Sequence, residues 1–342
     1  MKRGFAFLSF FVVPLVVALA FADRAPVLRT EKDTDGKALP FGRRPHQPND
    51  KPLGNGPFKA IMAEDPSLPD HTLYYPAKME SAGKLPVITW GNGACLNAGN
   101  RFRDFLTEIA SHGFLVVSGG PIANIKYEVG PQENPAVPAP GSTPGANRGQ
   151  RATPPPAPPA APGDAVGRNT APQLIAALDW AEKANKDSSS KFYNKLDTSM
   201  MGVGGQSCGG GLATTVAADP RIKAVAIFSG AGGSASGNAI QAFHSPVLLI
   251  AGDAARDIAH QRTIETAGLI TKLPVFMAWQ ENLTHIGTYG MPNGGELGRI
   301  AWQWFAWQLR GDQKAAKAFK GADCEICKET ADGWHVTKKM ID

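Results

Sequence analysis

From Phe58 onward, short apolar runs alternate with segments whose apolar residues recur at helical spacing. Runs at 58–62, 72–75, 85–90, 114–118, 199–203, 224–228, 247–251 and 275–279 are strand-length, and eight strands are therefore predicted. Between the third and fourth, a helix is expected over 97–112, with Phe102, Phe105, Leu106 and Ile109 on one face and Gly113 at its end. Thr170 and Gln173 have capping-box spacing ahead of a helix through Leu174, Ile175 and Leu178. Later helices are expected over 257–271 and 296–310. Strands alternating with helices predict an α/β fold: a mostly parallel eight-stranded sheet with helices on both faces.

Three stretches depart from this rhythm. Residues 1–22 carry Lys2 and Arg3, then an apolar run from Phe5 to Leu19, then small-x-small sites ending at Ala20 and Ala22, the pattern of a secretory signal peptide. Pro14 breaks that run, which is short for a membrane span, and no later stretch is apolar enough to span a bilayer. Residues 23–55 are rich in charge, glycine and proline and read as a flexible N-terminal arm. Residues 131–163, with Pro154-Pro155-Pro156-Ala157-Pro158-Pro159 at their centre, cannot form a packed core and read as a solvated insertion in a domain covering 56–328. Residues 329–342 read as a C-terminal tail. The net charge of +5 becomes +5 − 2 = +3 without Lys2 and Arg3, and no dense basic run appears, so nucleic-acid binding is not supported.

Within the domain, Gly205-Gln206-Ser207-Cys208-Gly209 fits G-x-S-x-G, a nucleophile elbow that lifts a serine above a sheet between a strand and a helix. The apolar run before it and the small-residue stretch 210–218 after it supply that strand and helix. A serine nucleophile needs a base, and the base needs an orienting carboxylate. In the α/β-hydrolase fold they follow in the order serine, acid, histidine. His46, His71 and His112 precede Ser207, and His244 precedes the acid candidates. His260 lies one helical turn past Asp257, and His335 lies in the tail, which leaves His285 as the base. The acid belongs just past the buried run 247–251, where Asp253 and Asp257 both stand, and chemistry alone does not separate them. The oxyanion hole needs two backbone N–H groups. Cys208 supplies one, and the loop Trp90-Gly91-Asn92-Gly93-Ala94-Cys95 the other, with Asn92 the first choice and Gly93 the second.

These stretches, with 105–117, Asp257-Ile258-Ala259, 284–289 and 294–298, resemble the α/β-hydrolase superfamily, among secreted serine hydrolases near its dienelactone-hydrolase and polyester-hydrolase or cutinase-like branches. The resemblance spans roughly 57–327 and implies Asp257 as the acid. Dienelactone hydrolases carry a cysteine nucleophile; Ser207 here implies a carboxylesterase instead. In this fold Cys95 and Cys208 both lie beside the site, as a bridge or as two buried thiols. Cys324 and Cys327 are close enough to bridge locally.

The expectation is thus a secreted or periplasmic serine esterase acting through Ser207, Asp257 and His285, with Cys208 and Asn92 as oxyanion donors. This chemistry needs neither metal nor organic cofactor, and its partner is a small or polymeric ester. Only 229–245 separates the sixth and seventh strands, too little for a large helical lid. Trp90, Trp279 and Tyr289 are candidates for the cleft wall, though aromatic residues at strand ends more often pack. An exported acyltransferase and a non-catalytic binding protein on the same fold are the rival readings.

Overall fold

A computed structural model describes residues 52–123, 167–230 and 237–342. The expected signal peptide, most of the expected arm and the Pro/Ala-rich insertion lie outside these residues. The strands are β1 (Ala60–Ala63), β2 (His71–Pro76), β3 (Leu85–Gly91), β4 (Leu115–Gly119), β5 (Leu196–Gln206), β6 (Ile222–Phe228), β7 (Val247–Ala251), β8 (Val275–Gln280) and β9 (Trp334–Lys339). The main helices are α1 (Arg103–Ser111), α2 (Ala171–Lys186), α3 (Cys208–Val216), α4 (Gly237–Gln241), α5 (His260–Leu269) and α6 (Gly295–Arg310), followed by the short α7 (Gln313–Ala316) and α8 (Glu325–Lys328).

The strands form one sheet in the order β1-β2-β4-β3-β5-β6-β7-β8-β9. Strands from β4 through β3 to β8 run parallel, while β1, β2 and β9 pair antiparallel at the two edges. Their side chains alternate between two cores. In β6, Ala224, Ala226 and Phe228 face the layer of α1 and α6, whereas Val225 and Ile227 face the layer of α2 and α5. Both faces are covered, which is why the central strands read as nearly unbroken apolar runs rather than as alternation. No helix among the described residues is long and apolar enough to cross a membrane.

All eight expected strands are present, and the expected tail adds a ninth. Its β9 pairs along β8 from Val275↔Lys339 to Gln280↔Trp334 and buries Trp334. The segment looked like a tail because its surface side is polar; one buried tryptophan and an open sheet edge are what dock it. The expected first helix is shortened from residue 97 to Arg103. The backbone of 97–99 pairs elsewhere: Asn97 N donates to Gly167 O and Gly99 N to Pro121 O, each at 2.9 Å. The helix expected from 257 likewise starts only at His260. At the boundary of the arm, Leu53 exchanges two backbone hydrogen bonds of 2.8 Å with Ala60.

Candidate active site

Ser207 sits between β5 and α3 with φ 54° and ψ −119°. A non-glycine residue at positive φ is costly and must be held by its surroundings. Here the Ser207 amide donates to Phe228 O at 3.0 Å, and the Gly211 amide donates to Ser207 O at 3.2 Å. Gly205 and Gly209 are required by close approach. A methyl group on Gly205 would lie 2.3 Å from Gly209 O, and one on Gly209 would lie 2.0 Å from Gly91 O. The helix N-terminus therefore rests on the backbone of β5 and β3, and the serine projects at the C-terminal end of the parallel strands.

The acid and the histidine arrive from the next strand ends. Asp257 lies in the loop between β7 and α5, and His285 in the loop after β8. His285 Nε2 is 2.8 Å from Ser207 Oγ, and its Nδ1 is 2.7 Å from Asp257 Oδ1. The imidazole thus bridges hydroxyl and carboxylate, which assigns the proton on Nδ1 to the Asp257 side and leaves Nε2 to accept from serine. The Asp257 carboxylate is buried and accepts two further bonds, from Gly252 N at 2.7 Å and Ala259 N at 2.8 Å. Burial pushes its pKa up, but the bonds from His285, Gly252 and Ala259 outweigh burial and hold the carboxyl below the ordinary carboxylate value.

Of the two candidate acids, Asp257 is the one hydrogen-bonded to His285. Asp253 does not reach the histidine. Its Oδ1 accepts from Ala255 N and its Oδ2 from Asn282 N, both at 2.8 Å, while its own amide donates to Leu283 O at 2.8 Å. Asp253 ties the acid loop to the histidine loop. The expected helix start is overturned for the same reason: Asp257 is turned inward by three hydrogen bonds and precedes the first helical turn. The rings of the other described histidines meet neither Ser207 nor the Asp257 carboxylate. His260 Nδ1 meets Gly252 O at 2.7 Å, His112 meets Glu108, and His335 meets Glu281.

The loop expected to supply the second oxyanion donor differs in part from expectation. Asn92 is fully buried, and its amide donates to Asn169 Oδ1 at 3.2 Å. Its side chain also organises the turn, with Nδ2 donating to Leu96 O, Ala98 O and Gly119 O and Oδ1 accepting from Ser118 Oγ. The first-choice donor is therefore already engaged. No described hydrogen bond uses the amides of Gly93 or Cys208, which open a 3-10 turn and α3 respectively. Trp90 and Tyr289 are core residues rather than cleft walls, fully buried or nearly so. Tyr289 packs on Phe102, Phe105 and Phe228. Trp279 is half-buried and stacked on His335.

Sequence reading missed two residues. Gln206, buried beside the serine, donates from Nε2 to His285 O at 2.9 Å and so ties the elbow to the histidine loop. Asn169 closes the oxyanion loop from the far side through Asn92 N and through its own amide, which donates to Cys95 O at 2.7 Å. The x position of G-x-S-x-G is variable in type, and nothing near Asn169 in the chain marks it; only its neighbourhood in space does. Both possible bridges exist, Cys95–Cys208 and Cys324–Cys327, and no cysteine is free. Among the described residues, no group of three or more His, Cys, Asp or Glu side chains is placed to hold a metal ion.

A nucleophile elbow above a parallel sheet, with the acid and the histidine on the following strand ends in that order, makes this an α/β-hydrolase fold. Residues 166–280 match the family model described as PETase: PET hydrolase-like. That stretch contains Ser207 and Asp257 and ends at the last residue of β8, before His285. Over it the chain is similar to polyester hydrolases of the α/β-hydrolase superfamily, a likeness that points to ester hydrolysis. No curated protein matches the chain.

Proposed function

We propose that the protein is an exported serine esterase whose Ser207, His285 and Asp257 act as a catalytic triad. The observation that carries this reading is His285 bridging Ser207 Oγ at 2.8 Å and Asp257 Oδ1 at 2.7 Å. Ser207 Oγ attacks the ester carbonyl carbon as its proton passes to His285 Nε2. Asp257, kept ionised by its three donors, holds the ring and offsets the positive charge that forms on it. The carbonyl oxygen becomes an oxyanion and is met by the Cys208 amide and by the amide of Gly93, the donor left over when Asn92 is engaged by Asn169. The tetrahedral intermediate expels the alcohol, which takes the proton from His285. Water then gives a proton to Nε2 and attacks the acyl-enzyme, and a second collapse releases the acid and restores Ser207.

Export is supported by the signal-like start and by two disulfides, which persist in oxidising compartments. The match to PET hydrolase-like proteins favours polymeric esters within the wider class of carboxylic esters. The test is turnover of a p-nitrophenyl ester together with labelling by a fluorophosphonate. Ser207→Ala is expected to lose about 10⁴-fold or more in kcat and to take no label. A Ser207→Ala protein that kept wild-type turnover would overturn the reading.

A further inference from the structure

The Cys95–Cys208 disulfide joins the two segments that carry the proposed oxyanion donors. Cys208 is the residue after the nucleophile, and Cys95 ends the loop that follows β3; their Cα atoms are 5.2 Å apart across 113 residues of sequence. The loop needs such a hold. Ala94 and Cys95 stand consecutively in the left-handed region, at φ 57° and 49°. Non-glycine residues are strained there and stay only where their surroundings hold them. Hydrogen bonds also hold the loop, among them those of the Asn92 side chain to Leu96 O, Ala98 O and Gly119 O. Within the turn, Cys95 N donates to Asn92 O at 3.0 Å and Leu96 N to Gly93 O at 3.2 Å. From outside it come the Asn169 bonds to Asn92 N and Cys95 O, from a short stretch of chain just ahead of α2. The disulfide is the one covalent tie between this loop and the elbow. Cys95 is almost fully buried and Cys208 is half-buried.

We infer that the Cys95–Cys208 disulfide is a positioning element for catalysis: it holds the Gly93 amide and the Cys208 amide in register, so that both meet one oxyanion. This rests on the proposed serine-esterase reading. Oxyanion donors act on the transition state more than on the bound ester, so slackening one lowers kcat and leaves KM little changed. A misplacement of about 1 Å costs about 10²-fold.

The experiment compares Cys95→Ala, Cys208→Ala and the double variant on a p-nitrophenyl ester, below the melting temperature of each. Every variant is expected to lose about 10²-fold in kcat with KM little changed. The double variant should lose no more than either single one, because all three break the same bond. Cys324→Ala/Cys327→Ala removes the local bridge in the C-terminal segment and should keep wild-type kcat. A folded Cys95→Ala protein with wild-type kcat overturns the inference. So do single losses that add in the double variant, which would mean that the Cys208 side chain itself touches the ester. If Cys95→Ala does not fold, the wild type is reduced with a phosphine until mass spectrometry shows Cys95 and Cys208 as thiols. Retained kcat in that folded, reduced protein overturns the inference equally. Wild-type protein inert to both ester and fluorophosphonate would instead remove the esterase reading, a separate result.

Discussion

Asp257 shows how one side chain is specified by its partners. Its carboxylate takes bonds from His285, Gly252 and Ala259 in a buried setting, and the sum holds its pKa low despite the burial. A depressed carboxylate stabilises the fold fully above the unfolded pKa, near about 4, and that contribution is lost as pH falls through the lower folded value. Asp257→Asn cannot titrate. The stability difference between wild type and Asp257→Asn is therefore expected to be constant from neutral pH down to about 5 and to shrink below about 4, as urea unfolding at stepped pH would show. A difference independent of pH down to acid unfolding would contradict the charged, bonded state. The same variant should lose about 10⁴-fold in kcat while keeping its fold. Ser207 and His285 were legible from residue type and chain order. The Gln206 bond to His285 O was not, because an amide side chain has no fixed partner until the histidine loop is folded over it.

At the level of elements, strand, elbow and helix form one unit whose glycines are not equivalent. Gly209 has Gly91 O and Asn92 N within 2.7 Å of where a Cβ would stand, while Gly211, also in α3, has nothing within 4 Å. Gly209→Ala is expected to push α3 off β3, to destabilise by about 3 kcal/mol and to abolish turnover. Gly211→Ala should raise stability by about 0.5 to 1 kcal/mol, since alanine is the better helix former and meets no obstacle. Equal effects of the two substitutions in thermal unfolding would contradict this packing. The helix boundaries at 97 and 257 misled for a related reason. Helical periodicity runs on into residues engaged by other loops, Asn97 through its backbone N–H to Gly167 O and Asp257 through its carboxylate to His285.

Across the whole molecule, the C-terminal segment completes the sheet. β9 covers the edge of β8 and buries Trp334, and Arg299 of α6 pairs with Glu329 at 2.7 Å just ahead of that strand. Ending the chain after Lys328 would expose the β8 edge and the apolar surface under Trp334. Such a protein is expected to lose at least about 3 kcal/mol of stability and to self-associate through the open edge. Calorimetry and light scattering would check both, and a truncated monomer with the wild-type melting temperature would contradict the edge role. The central strands were readable because burial on both faces makes them nearly uniformly apolar. β9 was not, because an edge strand keeps a polar side and shows only its tryptophan.

The chain by itself determined the alternation of strands and helices, the serine at its elbow, and the order of serine, acid and histidine. Periodicity and turn chemistry are local properties, written within a few residues. It could not choose between Asp253 and Asp257, identify which amide of the 92–93 turn is already engaged, or say whether Cys95 meets Cys208. Those depend on distances between atoms 28 to 113 residues apart in the chain. Only the packed sheet brings such atoms within the 3 Å or so where hydrogen bonds and disulfides are decided.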